Sequence, residues 1–363
     1  MSGSVGTNSG RRSGSIGAAA SGPTVSSSNP AVDTNPSGGV GTQWANSSTG
    51  DFYVCTDATA GENVWTNVDA AQDSIQPWQF GGTNYGYSMG IYPSTAQIQK
   101  FSFTSDGNAT NAGSMTVSRS HASSAQNSTH GYCAGGVNGG GNVIDKFQFS
   151  TDGDSADVGN LTTSAVTGAA GCSSETYGYA CGGDPAISNI EKFSLSSDGN
   201  ATDSGDLSSN RMAVAGASSS DYGYCSGGHS APPRVDIIEK FSFASDSDVA
   251  DVGNLVRGVD TGMSGQSSAT YGYGAGGVGN AIAIDKWAFA SDGDSTDQGD
   301  LTAAHNTAAY SAGMSSLTYG YCAGGGGSPK VNVIDKWAFA SDGDAADVGD
   351  LTATLYYNCG TQY

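Results

Sequence analysis

The stretch Asn332–Ala340, "NVIDKWAFA", alternates apolar and polar side chains with a period of two, the pattern of a half-buried strand. Before it stand "YGYCAGG" (Tyr319–Gly325) and the small-residue run "TAAYSAGMS" (Thr307–Ser315); after it come "SDG" and "ADVGDLT" (Ala346–Thr352). Each piece is short and bounded by glycine or polar residues, so together they predict four consecutive strands. Asp-Gly between the third and fourth pieces predicts a tight hairpin, because glycine accepts the positive φ that such turns require. The dipeptide occurs at Asp106-Gly107, Asp152-Gly153, Asp198-Gly199, Asp292-Gly293 and Asp342-Gly343, while Asp246-Ser247 in the remaining copy predicts a wider turn. No segment sustains a 3.6-residue apolar period between helix caps, so helices are not expected.

The four-piece pattern recurs. Tyr-Gly-Tyr begins at Tyr85, Tyr177, Tyr222, Tyr271 and Tyr319, with His130-Gly131-Tyr132 as a sixth copy, giving a period of 45–49 residues. Units of that length fit propeller blades. A lone four-stranded sheet of this composition leaves both faces apolar; stacking neighbours covers both, and closing the ring leaves no terminal face open. The expected fold is all-β: a six-bladed β-propeller of four-stranded antiparallel blades over residues 85–363. The final "LYYNCGTQY" (Leu355–Tyr363) resembles the first strand of a unit and is expected to close on the first one.

Ahead of the repeats, residues 1–40 are rich in Ser, Gly, Thr, Asn and Pro and predict a flexible arm. In residues 41–70, Trp44, Tyr53 and Trp65 are separated by turn-rich segments, which predicts a small β-hairpin module of two or three strands, too small to be stable without a partner. Oligomerisation or docking would supply one. Residues 71–84 read as a linker and a first strand.

Composition narrows the function. Only 13% of residues are charged, against about 25% in an average domain, and 56 are glycine, which suits closely stacked sheets. The net charge of −21 repels phosphate backbones, which argues against nucleic acid and anionic membranes as partners. No apolar run is long enough to insert in a membrane and no signal peptide is visible. Cys133, Cys225 and Cys322 share one repeat position and Cys181 lies one residue away from it, so they read as small buried thiols rather than a disulfide or zinc pattern.

Six of the seven lysines occupy one repeat position: Lys100, Lys146, Lys192, Lys240, Lys286 and Lys336. An acid precedes five of them (Asp145, Glu191, Glu239, Asp285 and Asp335), whereas Gln99 precedes the first. Strand alternation puts each acid and its lysine on opposite faces, so both are expected to tie their sheet to neighbouring elements. A side chain repeated six times is not a catalytic residue. The acidic turns, such as that holding Asp292, Asp294, Asp297 and Asp300, read as hairpins whose carboxylates bind turn amides; calcium is the alternative, and no other cofactor or metal is expected. His121 and His130 flank one hairpin but lack the convergent ligands of a redox metal centre. Among the inter-strand loops, "GGHSAPPRVD" is the most individual, so His229, Pro232, Pro233 and Arg234 are the expected ligand-binding residues.

The glycine pairs Gly135-Gly136, Gly182-Gly183, Gly227-Gly228, Gly276-Gly277 and Gly324-Gly325, with a downstream aromatic at Phe147, Phe193, Phe241, Trp287 and Trp337, resemble kelch-type repeats. The first unit departs, with Met89-Gly90 in place of the pair. "GTQWANSSTGDFYVCTDATAGENVW" and the wording "YGYxAGG…IDKFxFxxDG" are similar to tail-fibre and appendage proteins of marine bacteriophages. The resemblance implies a non-enzymatic virion protein assembled in the host cytoplasm. Its N-terminal region would hold other virion proteins, and its propeller would act as a spacer or as an adhesin for host glycan or protein. A homo-oligomer is implied, with a trimer the usual state of fibre-like proteins. A cell-surface or filament-forming repeat protein and a glycan-degrading enzyme are the alternatives; an enzyme would need unique residues breaking the repeat, and nearly every acid here is a repeat acid.

Overall fold

The computed structural model describes residues 22–68, 74–90, 95–138, 141–163, 166–229, 235–257, 262–278, 282–305, 311–326, 331–354 and 357–363. The chain divides into two compact units, Met1–Trp78 and Gln79–Tyr363. Every element assigned among the described residues is a strand, and these strands form seven four-stranded sheets rather than the six the repeat count suggests. Six belong to the second unit. The seventh is the N-terminal module, which is a full sheet of Thr24–Ser26, Gln43–Asn46, Phe52–Asp57 and Val64–Asn67, not a hairpin. Its first strand lies inside the segment read as a flexible arm and pairs in parallel with the second. A parallel edge strand carries no hairpin signature, which is why composition alone missed it. Tyr53, Cys55 and Trp65 are wholly buried and form the core of this sheet, with Trp44 set edge-on to Trp65 at 5.9 Å between ring centroids.

In the second unit each sheet is an antiparallel meander. The sixth, for example, runs Ala312–Ser315, Tyr319–Ala323, Val333–Ala338, Ala346–Asp350. The first strands of sheets two to five are Ser123–Gln126, Ala170–Ser173, Ala215–Ser218 and Ser264–Ser267. Sheet one draws its first strand from far downstream: Cys359–Gln362 pairs with Tyr85–Met89, followed by Thr95–Ser102 and Thr110–Arg119.

Two hydrogen-bonded and packed cycles join the six sheets. At the ends of the first strands, the Gln126 N–H donates to Ser173 Oγ, Ser173 to Ser218, Ser218 to Ser267 and Ser267 to Ser315, at 2.8–3.0 Å. Ser315 N–H then donates to Gln362 Oε1, and Gln362 N–H returns to Gln126 Oε1 at 3.0 Å. In the second cycle the second tyrosine of each repeat is buried against the next sheet: Tyr87 packs on Phe149, Tyr179 on Phe243, Tyr224 on Phe289, Tyr273 on Phe339, and Tyr321 on Phe103 of sheet one, with centroids 4.6–5.1 Å apart, while Tyr132 meets Phe193 at 5.9 Å. Each such pair adds about 0.5–1.5 kcal/mol beyond its buried area. The core therefore consists of separate clusters, each between two successive sheets, with the sixth sheet packed on the first.

Glycine is required at two kinds of place. A Cβ on Gly265 would lie 1.9 Å from the Gly216 carbonyl oxygen of the neighbouring first strand, and one on Gly320 would lie 2.4 Å from the Trp337 ring. The first allows backbones of adjacent sheets to approach; the second clears room for the aromatic of the same sheet.

One local expectation is corrected. Third and fourth strands are not joined by tight two-residue hairpins: in sheet six the third strand ends at Ala338 and the fourth begins at Ala346. Phe339, at the start of that connection, turns inward to pack on Tyr273, so the chain needs length to place it before turning. Only the turns at 106–107 and 292–293 hold both the aspartate and the glycine at positive φ.

Candidate functional site

The repeated acids and lysines occupy adjacent positions on the third strand of each sheet and act in opposite directions around the cycle. A register shift falls at this position in all six sheets of the second unit, between Ile144 and Asp145 in sheet two, between Ile334 and Asp335 in sheet six, and at Gln99 in sheet one, for instance. Such bulges re-aim a side chain. Each acid reaches back to the segment leaving the preceding sheet. Asp145 binds Arg119 and the Thr116 hydroxyl, and Glu239 binds Arg211. Asp285 binds Arg257 at 2.9 Å, and Asp335 binds His305 at 3.0 Å. Glu191 instead accepts the backbone N–H groups of Thr162 and Thr163 at 2.7 and 3.0 Å. In sheet one, where no acid is present, neutral Gln99 accepts the Thr352 N–H at 2.9 Å. The Arg119–Asp145 and Arg211–Glu239 side chains are fully buried.

Each lysine reaches forward to the turn aspartate of the following sheet: Lys100 to Asp152, Lys146 to Asp198, Lys192 to Asp246, Lys240 to Asp292, Lys286 to Asp342, and Lys336 to Asp106 of sheet one. Five of the ammonium groups also sit over the first tyrosine of the repeat, at 4.4–5.2 Å from the ring centroid. These ties lie at the surface, where ion pairs contribute about 0–1 kcal/mol and an exposed cation–π contact about 0.5–1 kcal/mol. Lys286→Met should therefore lower stability by no more than about 2 kcal/mol, a loss that shrinks further in 1 M salt; urea melts of the variant at two ionic strengths check this. The turn carboxylates read as possible calcium ligands have separate partners: Asp292 takes the Lys240 ammonium, Asp294 the Asn254 N–H and Asp297 the Gly299 N–H.

His305 is the member of the buried belt that stands in place of an arginine. Its Nδ1 faces the Gly324 carbonyl and its Nε2 the Asp335 carboxylate. Both partners only accept, so both ring nitrogens must carry hydrogen, and the bound form is the imidazolium. Burial opposes that charge, but the Cys322 sulfur and the Asp335 carboxylate outweigh it and push the group up to about 10. Since the folded value lies above the unfolded value of about 6.5, the stabilisation is complete below that pH and is lost as pH rises toward 10. The stability difference between the native chain and His305→Gln should thus be largest at pH 6 and shrink several-fold by pH 10, measured by denaturant melts across that range. His121 behaves oppositely: burial holds it down to about 4, and its ring stacks on Tyr357 at 3.6 Å. His130 lies elsewhere, with its Nδ1 on the Thr129 hydroxyl, so the two histidines do not share a site.

The first strands of the six sheets surround a cavity of about 70 Å³, lined by Ser123, Gly171, Gly216, Gly265, Gly313 and Gly360 among others. The Phe80 carbonyl is also at its wall, held by the Gln126 and Gln362 side-chain amides at 2.6 and 2.9 Å. Sites for small molecules usually measure about 300–1,000 Å³, so this space suits a few waters and not a sugar. In the N-terminal unit a larger cavity of about 470 Å³ is bordered by Thr34, Pro36, Val40, Thr42, Trp44 and Trp65. Since Tyr53 and Trp65 are core residues, attachment through this unit would rest on exposed groups such as Val25, Val40 and Val68.

Of the loop singled out for ligand binding, His229 bridges to Met212 through paired backbone hydrogen bonds of 3.0 Å. Pro232, Pro233 and Arg234 lie outside the described residues. Sequence reasoning did not find the acid-to-cation belt, although Arg119, Arg211 and His305 recur at similar places; the missing signal was that each sits one sheet ahead of its acid. It also did not find that Cys172, Cys181 and Cys225 converge.

No family model matches the chain, and comparison with curated proteins finds no match.

Proposed function

We propose that the six sheets of residues 79–363 are the blades of a kelch-like β-propeller, and that the protein is a non-enzymatic structural component of a bacteriophage particle. In this reading the N-terminal unit attaches to other virion proteins, and the propeller projects as a spacer or as an adhesin for host-surface glycan or protein. The observation that carries it is the contrast between the units. In the second, the repeated lysines, and all but one of the repeated acids, face cations or carboxylates of an adjacent sheet, as suits a rigid body rather than a reaction site. In the first, Val25, Val40 and Val68 stay exposed, which offers apolar side chains to a partner. The sequence resemblance to appendage proteins supports the same reading, as does the acidic surface, which keeps a particle-borne protein dispersed.

The test is localisation. Lysates of infected host cells are fractionated on a density gradient, probed with an antibody to this chain, and the particle fraction imaged after gold labelling. Labelling of tails or capsids is expected, and it should be lost when residues 22–78 are deleted. Signal confined to the host envelope would support a cell-surface protein instead. Release of new reducing ends from host polysaccharide by the purified chain would overturn the non-enzymatic reading. Light scattering of the purified chain reads its stoichiometry, for which a homo-oligomer is expected.

A further inference from the structure

Cys172 lies on the first strand of sheet three, Cys181 at the end of its second strand, and Cys225 on the second strand of sheet four. All three are fully buried, and their sulfurs lie within 4.8 Å of one another, the only such group of potential metal-ligating side chains among the described residues. The convergence breaks the repeat. The equivalent positions between sheets two and three are Ala125, Ala134 and Ala180, and those between sheets five and six are Gln266, Ala275 and Cys322. A single cysteine in such a place is an ordinary small apolar residue. Three together are a donor set.

The hydrogen bond with Cys172 raises Cys225 well above the usual thiol range, and the charge of the buried Arg211 opposes that rise; the Arg211 Nε–H has no acceptor among the described residues. Hydrogen bonds from Cys181, and then from Cys225, hold Cys172 below the usual thiol range, whereas burial pushes Cys181 up. A metal bound to thiolate at about 2.3 Å places three sulfurs roughly 3.8–4.0 Å apart, within the spread seen here.

We propose that Cys172, Cys181 and Cys225 form a buried three-thiolate site for a thiophilic monovalent cation, copper(I). Structural zinc takes four ligands, and the described residues place only three such donors here, a number that soft, low-coordinate copper(I) accepts. Binding would release the thiol protons. Because the sulfurs have no exposure, the ion enters while the chain folds and not afterwards. Copper would then add a bridge between two sheets already joined by the Arg211–Glu239 and Lys192–Asp246 ion pairs.

The experiment refolds the full chain anaerobically from guanidinium with a stoichiometric copper(I)–bicinchoninate complex, removes free copper by gel filtration and counts metal per chain. One copper per chain is expected, with a raised thermal midpoint. Cys225→Ala, which places at this position a residue that sheet three carries at Ala180, should fold and lose about tenfold or more of the retained copper. A Cys133→Ala/Cys359→Ala variant should keep it. Retention below about one-tenth of a copper per chain, equal retention by Cys225→Ala, or preferential uptake of zinc offered in parallel would overturn the proposal.

Discussion

A chain shortened to end at Asn358 should fail to give a cooperative thermal transition, and most of it should enter the insoluble fraction on expression. The missing strand, Cys359–Gln362, is the first strand of sheet one. Its loss removes the ladder to Tyr85–Met89 and both hydrogen bonds through which Gln362 joins Ser315 to Gln126. It also uncovers Met89 and Cys133, which pack against Cys359, and strips the hydrogen bond from the Ser124 hydroxyl of sheet two to the Gly360 carbonyl of sheet one. Each lost hydrogen bond is worth only about 0.5–1.5 kcal/mol net. Several of them, together with two faces of newly exposed apolar surface, approach the whole margin of about 5–15 kcal/mol that holds a domain folded. A permuted chain restores the strand: residues 357–363 are moved ahead of Asn84 through a short glycine turn, which is feasible because Tyr363 O already accepts the Asn84 and Tyr85 N–H groups. Circular dichroism melts of the two chains check this; an undiminished midpoint in the shortened chain would sink the closed cycle.

Arg211→Met should cost about 3–5 kcal/mol, since it leaves Glu239 buried beside no cation. The penalty should depend on pH. Burial already raises Glu239 above the ordinary carboxylate range despite the Arg211 guanidinium, and removing that guanidinium raises it further. A raised acid favours the fold when protonated, so the loss should be small near pH 4 and grow as pH climbs through the folded value. The paired variant Arg211→Met/Glu239→Met should recover the whole deficit, because replacing both members of a buried pair by apolar groups is neutral or stabilising by about 1–4 kcal/mol. The chain itself contains a neutral version of this contact, where Gln99 accepts the Thr352 N–H. Guanidinium melts of the single and double variants at pH 4 and pH 8 form the cycle; a double variant as unstable as the single one would show that the pair's geometry, not its charge balance, is what the fold needs.

What was legible in the sequence is what repeats within one unit. The alternation in "NVIDKWAFA" and the buried second tyrosine at positions such as Tyr321 gave strands, faces and spacing directly. What was not legible depends on pairing between units. Asp335 and Lys336 are neighbours, and alternation placed them on opposite faces, but nothing local told that one reaches His305 in the preceding sheet and the other Asp106 in the following one. The same holds for Cys172 and Cys225, which lie in different repeats and meet only across a sheet boundary. Thr24–Ser26 was missed for another reason: it is short and polar, and what makes it a strand is its parallel partner at Trp44–Asn46. The Asp-Gly dipeptides were over-read as hairpins because the inward aromatic just before them, such as Phe339, sets the length of the connection.

The first sheet has a temporal consequence. Ser88 must wait for Asn358, 270 residues downstream, before its hydrogen bond can form. Until the ribosome has delivered that partner, the edge at Tyr85–Met89 stays open, a template for any passing strand. At high expression two nascent chains can therefore exchange closing strands and emerge as an interlocked pair, so slower synthesis at lower temperature should raise the monomer fraction by giving each chain time to find its own end.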